Sequence, residues 1–260
     1  MVYKVGVGMK IIQAASAFWS EREDGIKVDC NIVEANGLLD IIKNNVKHTK
    51  KFVYIATDPS SYSDIDESVK FILLALKKKG YEFDAVEVID KRNDVCLEQS
   101  LKDASIIYIP GGRVDVSSDY YYDIDLEKYI RGSDALLIGQ SAGAMCFAQV
   151  IYNYPETNED REGIRFLEGL NLCWPVIIPH YREGDGNELL FGDFNLLNDY
   201  YIPDSELCDF YALPNGSFIF TDNDVTRVYG EAYFISKGKV IKICENNESK
   251  VIEDGTYSHS

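Results

Sequence analysis

Short apolar runs alternate with helix-patterned stretches through the first two-thirds of the chain, and this alternation constrains its fold most. "KFVYIATD" (51–58) is a buried-strand run ending in turn chemistry. "SYSDIDESVKFILLALKKKGYEF" (61–83) reads as a helix, with Lys77, Lys78 and Lys79 near its end and Gly80 as its stop. "DAVEVID" (84–90) is the next strand and "CLEQSLKDA" (96–104) a short helix. "SIIYIPGG" (105–112) is a strand closing in a glycine turn, "DLEKYIRGS" (125–133) a helix and "DALLIG" (134–139) a further strand. Such an order gives an α/β fold, a mostly parallel sheet flanked by helices on both faces. With 260 residues, 46% of them hydrophobic, the chain can bury one substantial core or two small ones.

The last third has a different grain. "GLNLCWPVIIPHY" (169–181) is strand material broken by prolines, while "GSFIFTD" (216–222), "AYFISKGKVIKICEN" (232–246) and "SKVIED" (249–254) read as antiparallel strands. Lys237-Gly238 fits a hairpin turn. Without a repeat or linker, the expectation is a single α/β domain over 1–260 that ends in antiparallel strands within 216–254. The opening "MVYKVGVGMKIIQAASAFWSERED" (1–24) has some leader character, but Lys10 and Gln13 interrupt it. It is read as a first strand and helix, and the chain as cytoplasmic. Gly6-x-Gly8 is read as a strand-end turn rather than a phosphate cradle.

Charge and composition narrow the function classes. The 26 basic and 43 acidic residues leave a net charge of −17, a surface that repels phosphate backbones, so no nucleic-acid partner is expected. No apolar stretch approaches the roughly 20 residues of a membrane span. Cys30, Cys96, Cys146, Cys173, Cys208 and Cys244 show no metal-ligand spacing and read as free thiols, Cys146 as core. With three histidines in all, no metal or other cofactor is expected. The expected partner is a small peptide substrate, and a homodimer is left open as an assembly.

The chemistry centres on "LLIGQSAGAM" (136–145). Gly139-Gln140-Ser141-Ala142-Gly143 matches G-x-S-x-G, in which a serine is held on a tight strand-to-helix turn and small neighbours avoid clashes. A following helix would aim its first amides at the site, favouring an oxyanion there. The same small residues also fit close helix packing. A serine nucleophile needs a base, and the three histidines leave little choice. His48 lies among lysines in "VKHTKKF" and reads as a surface residue; His259 lies in the terminal "YSHS". His180, in "VIIPHYREGDG", ends an apolar run where a loop begins, as a base on a strand end should. Upstream, "IYIPGGRVD" (107–115) offers backbone amides after paired glycines as a second oxyanion donor beside the Ala142 N–H. Tyr120, Tyr121 and Tyr122 follow closely and are candidates either for the cleft or for packing.

Together, "YIPGG" (108–112), "GQSAGA" (139–144), "PHY" (179–181) and "ALPNGS" (212–217), in that order, resemble the peptidase family of aspartyl dipeptidase (peptidase E) and cyanophycinase. The resemblance covers about residues 51–230. It implies a class I glutamine-amidotransferase-like fold, a flavodoxin-like three-layer sandwich, and a serine hydrolase cleaving a dipeptide, with an N-terminal Asp as one candidate, or an isopeptide. Ser141 would be nucleophile, His180 base, the Gly112 and Ala142 amides the oxyanion hole, and Gly111 part of the substrate-binding turn.

Three departures stand out. The glutamate that the family's L-P-x-G segment offers to the histidine is here Asn215, which can accept the imidazole N–H but cannot offset an imidazolium charge. Glu156, in "NYPETNED", falls near another acidic position of the family and is the preferred third member on that resemblance, and the order Ser, Glu, His also matches; the other reading is a solvated acidic loop. Arg113 stands where Asn, Asp or Thr is expected, and no basic residue occupies the expected aspartate-binding spacing after His180. Arg113 or Arg182 would anchor an acidic side chain, or each is a surface arginine paired with an aspartate. Asp185, Glu183 or Glu156 would take a free α-ammonium. The competing readings are an α/β-hydrolase esterase, which shares the elbow but usually carries an upstream HGG-type motif absent here, and a catalytically idle relative that binds a ligand or partner. An amidotransferase should carry cysteine at the elbow.

Overall fold

The structure, a computed structural model, describes residues 8–183, 194–223 and 225–253. Its main sheet has eight strands. In spatial order they are Ser249–Val251, Val225–Tyr229, Phe218–Asp222, Lys10–Ala14, Leu136–Gln140, Ile106–Ile109, Lys51–Ile55 and Ala85–Ile89. The last five run parallel, and the first three pair antiparallel with their neighbours. The mostly parallel, helix-flanked α/β fold is thus the one expected from the alternating pattern, with the antiparallel strands supplied by the C-terminal part.

Alternation along these strands explains the layers. Ile11, Val53, Ile107 and Leu137 face one side and pack with Leu97, Leu126 and Phe147. Ile12, Phe52, Ile106, Tyr108, Leu136 and Ile138 face the other and meet Leu38, Ile42, Val69 and Ile72. Period-two side chains that are apolar at both parities need cover on both faces. Each fully buried aliphatic side chain contributes about 1.5–3 kcal/mol. Helix Tyr62–Lys78 covers one face with Ile65, Val69, Ile72 and Leu76, spaced one turn apart. Gly80, at φ 88°, closes it.

A second sheet holds Ile177–Pro179, Phe210–Leu213, Ala232–Ser236 and Lys239–Cys244 in that order. Its first two strands are parallel, Pro179 pairing with Leu213. Lys237 (φ 49°) and Gly238 (φ 71°) form the expected hairpin turn.

Several local expectations need correction. After the first strand the chain makes no helix but an antiparallel hairpin, Phe18–Glu23 with Ile26–Ile32. Asp24 (φ 48°) and Gly25 (φ 82°) form its turn, and Phe18, Cys30 and Ile32 are buried against the sheet, so tertiary burial outweighs the local preference. The 169–181 run keeps only the three-residue strand Ile177–Pro179. Residues 114–123 form a helix that buries Tyr120 and Tyr121 in the core, while Tyr122 is 80% exposed. Among the described residues no helix is long and apolar enough to cross a membrane.

Candidate active site

Strand Leu136–Gln140 delivers Ser141 to a turn at φ 51°, ψ −120°, a conformation that costs a side-chain-bearing residue about 1–3 kcal/mol. Two backbone bonds hold it: Ser141 N–H donates to Ala14 O (2.9 Å) and Gly143 N–H to Pro110 O (3.0 Å). A Cβ on Gly139 would lie 2.6 Å from Ala144 Cα, and one on Gly143 would lie 2.4 Å from the Ile109 and Pro110 carbonyl oxygens. Close packing and display of the serine are therefore one feature. The helix that follows is a single turn, Ala142–Met145. A long macrodipole is absent; what remains is the Ala142 N–H, a first-turn amide without an intrahelical acceptor.

The glycine turn after Ile106–Ile109 lies directly alongside. Thr57 Oγ1 donates to Gly111 O (2.9 Å), and a Cβ on Gly112 would fall 2.5 Å from that same Oγ1. Gly111 approaches Ser141 so closely that its Cβ would sit 3.3 Å from the serine Cβ. Gly112, Ser141, Ala142 and Glu156 line one small pocket.

His180 follows strand Ile177–Pro179 at φ 59°, and Asn215 follows strand Phe210–Leu213. Because Pro179 and Leu213 are register partners, the residues just beyond them emerge side by side. His180 Nε2 lies 2.9 Å from Ser141 Oγ, and His180 Nδ1 lies 2.6 Å from Asn215 Oδ1. With the serine hydroxyl donating to Nε2, the ring proton sits on Nδ1 and donates to the amide oxygen. Gly216, at φ 90°, fixes the Asn215 loop. Its N–H donates to Ser16 Oγ (3.2 Å) and its carbonyl accepts from Asn36 Nδ2 (2.9 Å).

Asn215, not the preferred Glu156, is the group that His180 Nδ1 bonds. Glu156 faces the pocket of Gly112 and Ala142. Partial desolvation pushes its carboxyl above the ordinary value, Asp160 adds to this, and Arg113 opposes it. Arg113 is held in a two-point pair with Asp115, Nε to Oδ1 3.1 Å and Nη2 to Oδ2 2.6 Å. Arg182 is exposed, two residues past His180, and Asp185 lies outside the described residues, as does His259. His48 is exposed and bonds Ser105 Oγ through Nδ1 (2.8 Å), at the opposite ends of the strands from Ser141. Cys146 is buried, its thiol pushed up to about 12 by desolvation. Among the described residues no group of three or more His, Cys, Asp or Glu is arranged to hold a metal.

Two supports escaped the sequence reading. Gln13, 1% exposed, donates through Nε2 to Ala144 O (3.0 Å) and Pro175 O (3.1 Å), bracketing the elbow and the approach to His180. Gln140 Oε1 accepts from Ala17 N–H (3.0 Å) and Phe18 N–H (2.8 Å), tying the hairpin to the serine strand. Glutamine inside otherwise apolar strand runs, KIIQA and LLIGQ, was the available signal.

Among solved structures, a peptidase from an acI-B1 Actinobacterium superposes with TM-score 0.60 at 14% identity, covering 96% of this chain and 99% of that one. A putative peptidase E protein from Listeria monocytogenes EGD-e gives TM-score 0.49 at 16% identity, over 91% and 98% of the two chains. The first likeness is one of fold. No protein of curated function matches the sequence. The family model for peptidase family S51 matches residues 33–229, a span that includes the elbow, His180 and Asn215. On that match, with the elbow and its histidine in place, the chain belongs to peptidase family S51.

Proposed function

We propose that this chain is a serine peptidase that hydrolyses short peptides, dipeptides foremost, through an acyl-enzyme on Ser141. The observation that carries the reading is the relay Ser141 Oγ–His180 Nε2 (2.9 Å) and His180 Nδ1–Asn215 Oδ1 (2.6 Å). His180 takes the Ser141 proton as Oγ bonds to the scissile carbonyl carbon, and passes it to the leaving amine as the C–N bond breaks. Water then attacks the ester by the same route, returning the serine. The Gly112 and Ala142 amides receive the oxyanion. Asn215 fixes the ring and its tautomer without charge. Glu156, beside those amides, receives the free α-ammonium of the acyl residue.

Asn215 favours one second reading, a catalytically idle relative, because a neutral partner leaves the imidazolium uncompensated. A fluorophosphonate probe separates the two. Labelling at Ser141 that His180→Ala abolishes, together with turnover of some dipeptide lost in Ser141→Ala, supports the peptidase. A folded wild type that neither labels nor hydrolyses any member of a dipeptide library removes it.

A further inference from the structure

We propose that the acyl-side pocket selects a basic side chain, so that the preferred substrates present Lys or Arg as the residue whose carbonyl Ser141 attacks. The inference rests on the serine-peptidase reading above. His180 must deliver its proton to the leaving amine, which places the leaving group on the histidine's side of Ser141 Oγ. The acyl residue then occupies the other side, where Gly112, Ala142 and Glu156 form the wall. Val114, Tyr154 and Glu156 are shared between that pocket and a neighbouring cavity of about 340 Å³, large enough for a long side chain.

The cavity's charge is one-sided. Asp115, Asp119, Glu156, Glu159 and Asp160 line it against one cation, Arg113. That cation is held by Asp115. Asp160 is engaged at the helix start over 158–162, accepting from Thr157 N–H (3.0 Å) and Thr157 Oγ1 (2.8 Å). Asp119 and Glu159 line the cavity and carry no cationic partner among the described residues. With Glu156 meeting the α-ammonium, these two carboxylates are placed for a second positive charge. Ile164 and Leu167, also in the wall, suit the alkyl stem of a lysine or arginine, whose charged head prefers the polar end of such a cavity. An aspartate side chain would enter a field of its own sign, with the cavity's one lining cation, Arg113, already paired to Asp115.

The test compares kcat/KM for Lys-Ala, Arg-Ala, Leu-Ala and Asp-Ala. Lys-Ala and Arg-Ala should exceed Leu-Ala by on the order of tenfold, and Asp-Ala should be the poorest. Asp119→Asn with Glu159→Gln should pull the Lys-Ala to Leu-Ala ratio toward one, with the loss in KM, and Glu159→Lys should raise Asp-Ala relative to Lys-Ala. Turnover that depends on Ser141 but ranks Asp-Ala above Lys-Ala, or a ratio indifferent to the double variant, overturns the inference and leaves the peptidase reading standing. If no dipeptide is cleaved and Ser141 does not label, the peptidase reading fails instead. The pocket is then judged by calorimetry on Ser141→Ala: lysine amide binding more tightly than aspartate amide supports it, and equal or weaker binding overturns it.

Discussion

With His180 as the proposed base, replacing Asn215 by Asp should make hydrolysis faster, which is an unusual expectation for a residue touching that ring. Asn215 Oδ1 accepts the Nδ1 proton of His180 at 2.6 Å, so an aspartate oxygen placed there keeps the tautomer and adds a negative charge to the ring that becomes an imidazolium. With charge centres about 4 Å apart, the attraction is about 1 kcal/mol in water and about 4 kcal/mol at an effective dielectric constant of about 20. Both side chains are exposed, so the lower part of that range applies. About 1–2 kcal/mol of transition-state stabilisation corresponds to roughly 5- to 30-fold in kcat. Asn215→Ala removes the orienting acceptor and should cost on the order of tenfold, in line with the loss of a hydrogen bond at a charged ring. The assay is steady-state hydrolysis of one dipeptide by the three proteins, with fluorophosphonate labelling rates as a readout independent of substrate binding. An Asp variant no faster than wild type, or an Ala variant equal to it, would refute the view that Asn215 acts through the base. Glu156→Gln makes the contrast, because a residue that receives the α-ammonium should lose mainly in KM on free dipeptides and little on N-acetylated ones.

Three further outcomes follow from the same geometry. Gly143→Ala places a Cβ 2.4 Å from two carbonyl oxygens and should cost about 1–3 kcal/mol in denaturant unfolding, with fluorophosphonate labelling slowed as well; an unchanged midpoint would show the elbow to be looser than described. Gln140→Leu strands the Ala17 and Phe18 amides, at roughly 1–3 kcal/mol for each one left buried, whereas Gln140→Glu keeps the acceptor and should retain most of the stability; equal midpoints for the two variants would deny the tether. Desolvation raises the Glu156 carboxyl, so its charge is lost on acidification earlier than for an ordinary carboxylate. KM for free dipeptides should therefore rise as pH falls through a range just above the usual carboxylate one, and Glu156→Gln should remove that dependence.

How far the fold could be read from sequence depended on whether the deciding interaction was local. The inner parallel strands Lys51–Ile55, Ile106–Ile109 and Leu136–Gln140 declared themselves because each is a compact apolar run buried at both parities, and helix Tyr62–Lys78 because its apolar residues keep one face over four turns. The N-terminal hairpin was missed although Asp24-Gly25 is a strong hairpin signal. The helix-friendly run before it concealed the strand, and the burial that fixes it comes from residues far along the chain, such as Tyr108 against Phe18.

The site divides along the same line. Ser141 and its glycines are bound by a local steric requirement, so their spacing was legible. His180 could be singled out because only three histidines exist. The group behind it could not, because chain order is silent about which loop arrives at a ring nitrogen. That is decided by a parallel pairing between strands more than thirty residues apart, Pro179 with Leu213, which brings 180 and 215 out at the same level. Once that register is fixed, Asn215 occupies Nδ1, and the acid at 156 lines the small pocket with Gly112, Ser141 and Ala142. On the proposed reading, its charge serves the substrate rather than the base: the relay would run with a neutral orienter, and the carboxylates would gather where the acyl residue is proposed to lie. On that proposal, such a chain would give up some rate at the histidine while concentrating negative charge on the side that chooses what is cleaved. That is why one pair of substitutions, at 215 and at 156, should separate into effects on kcat and on KM.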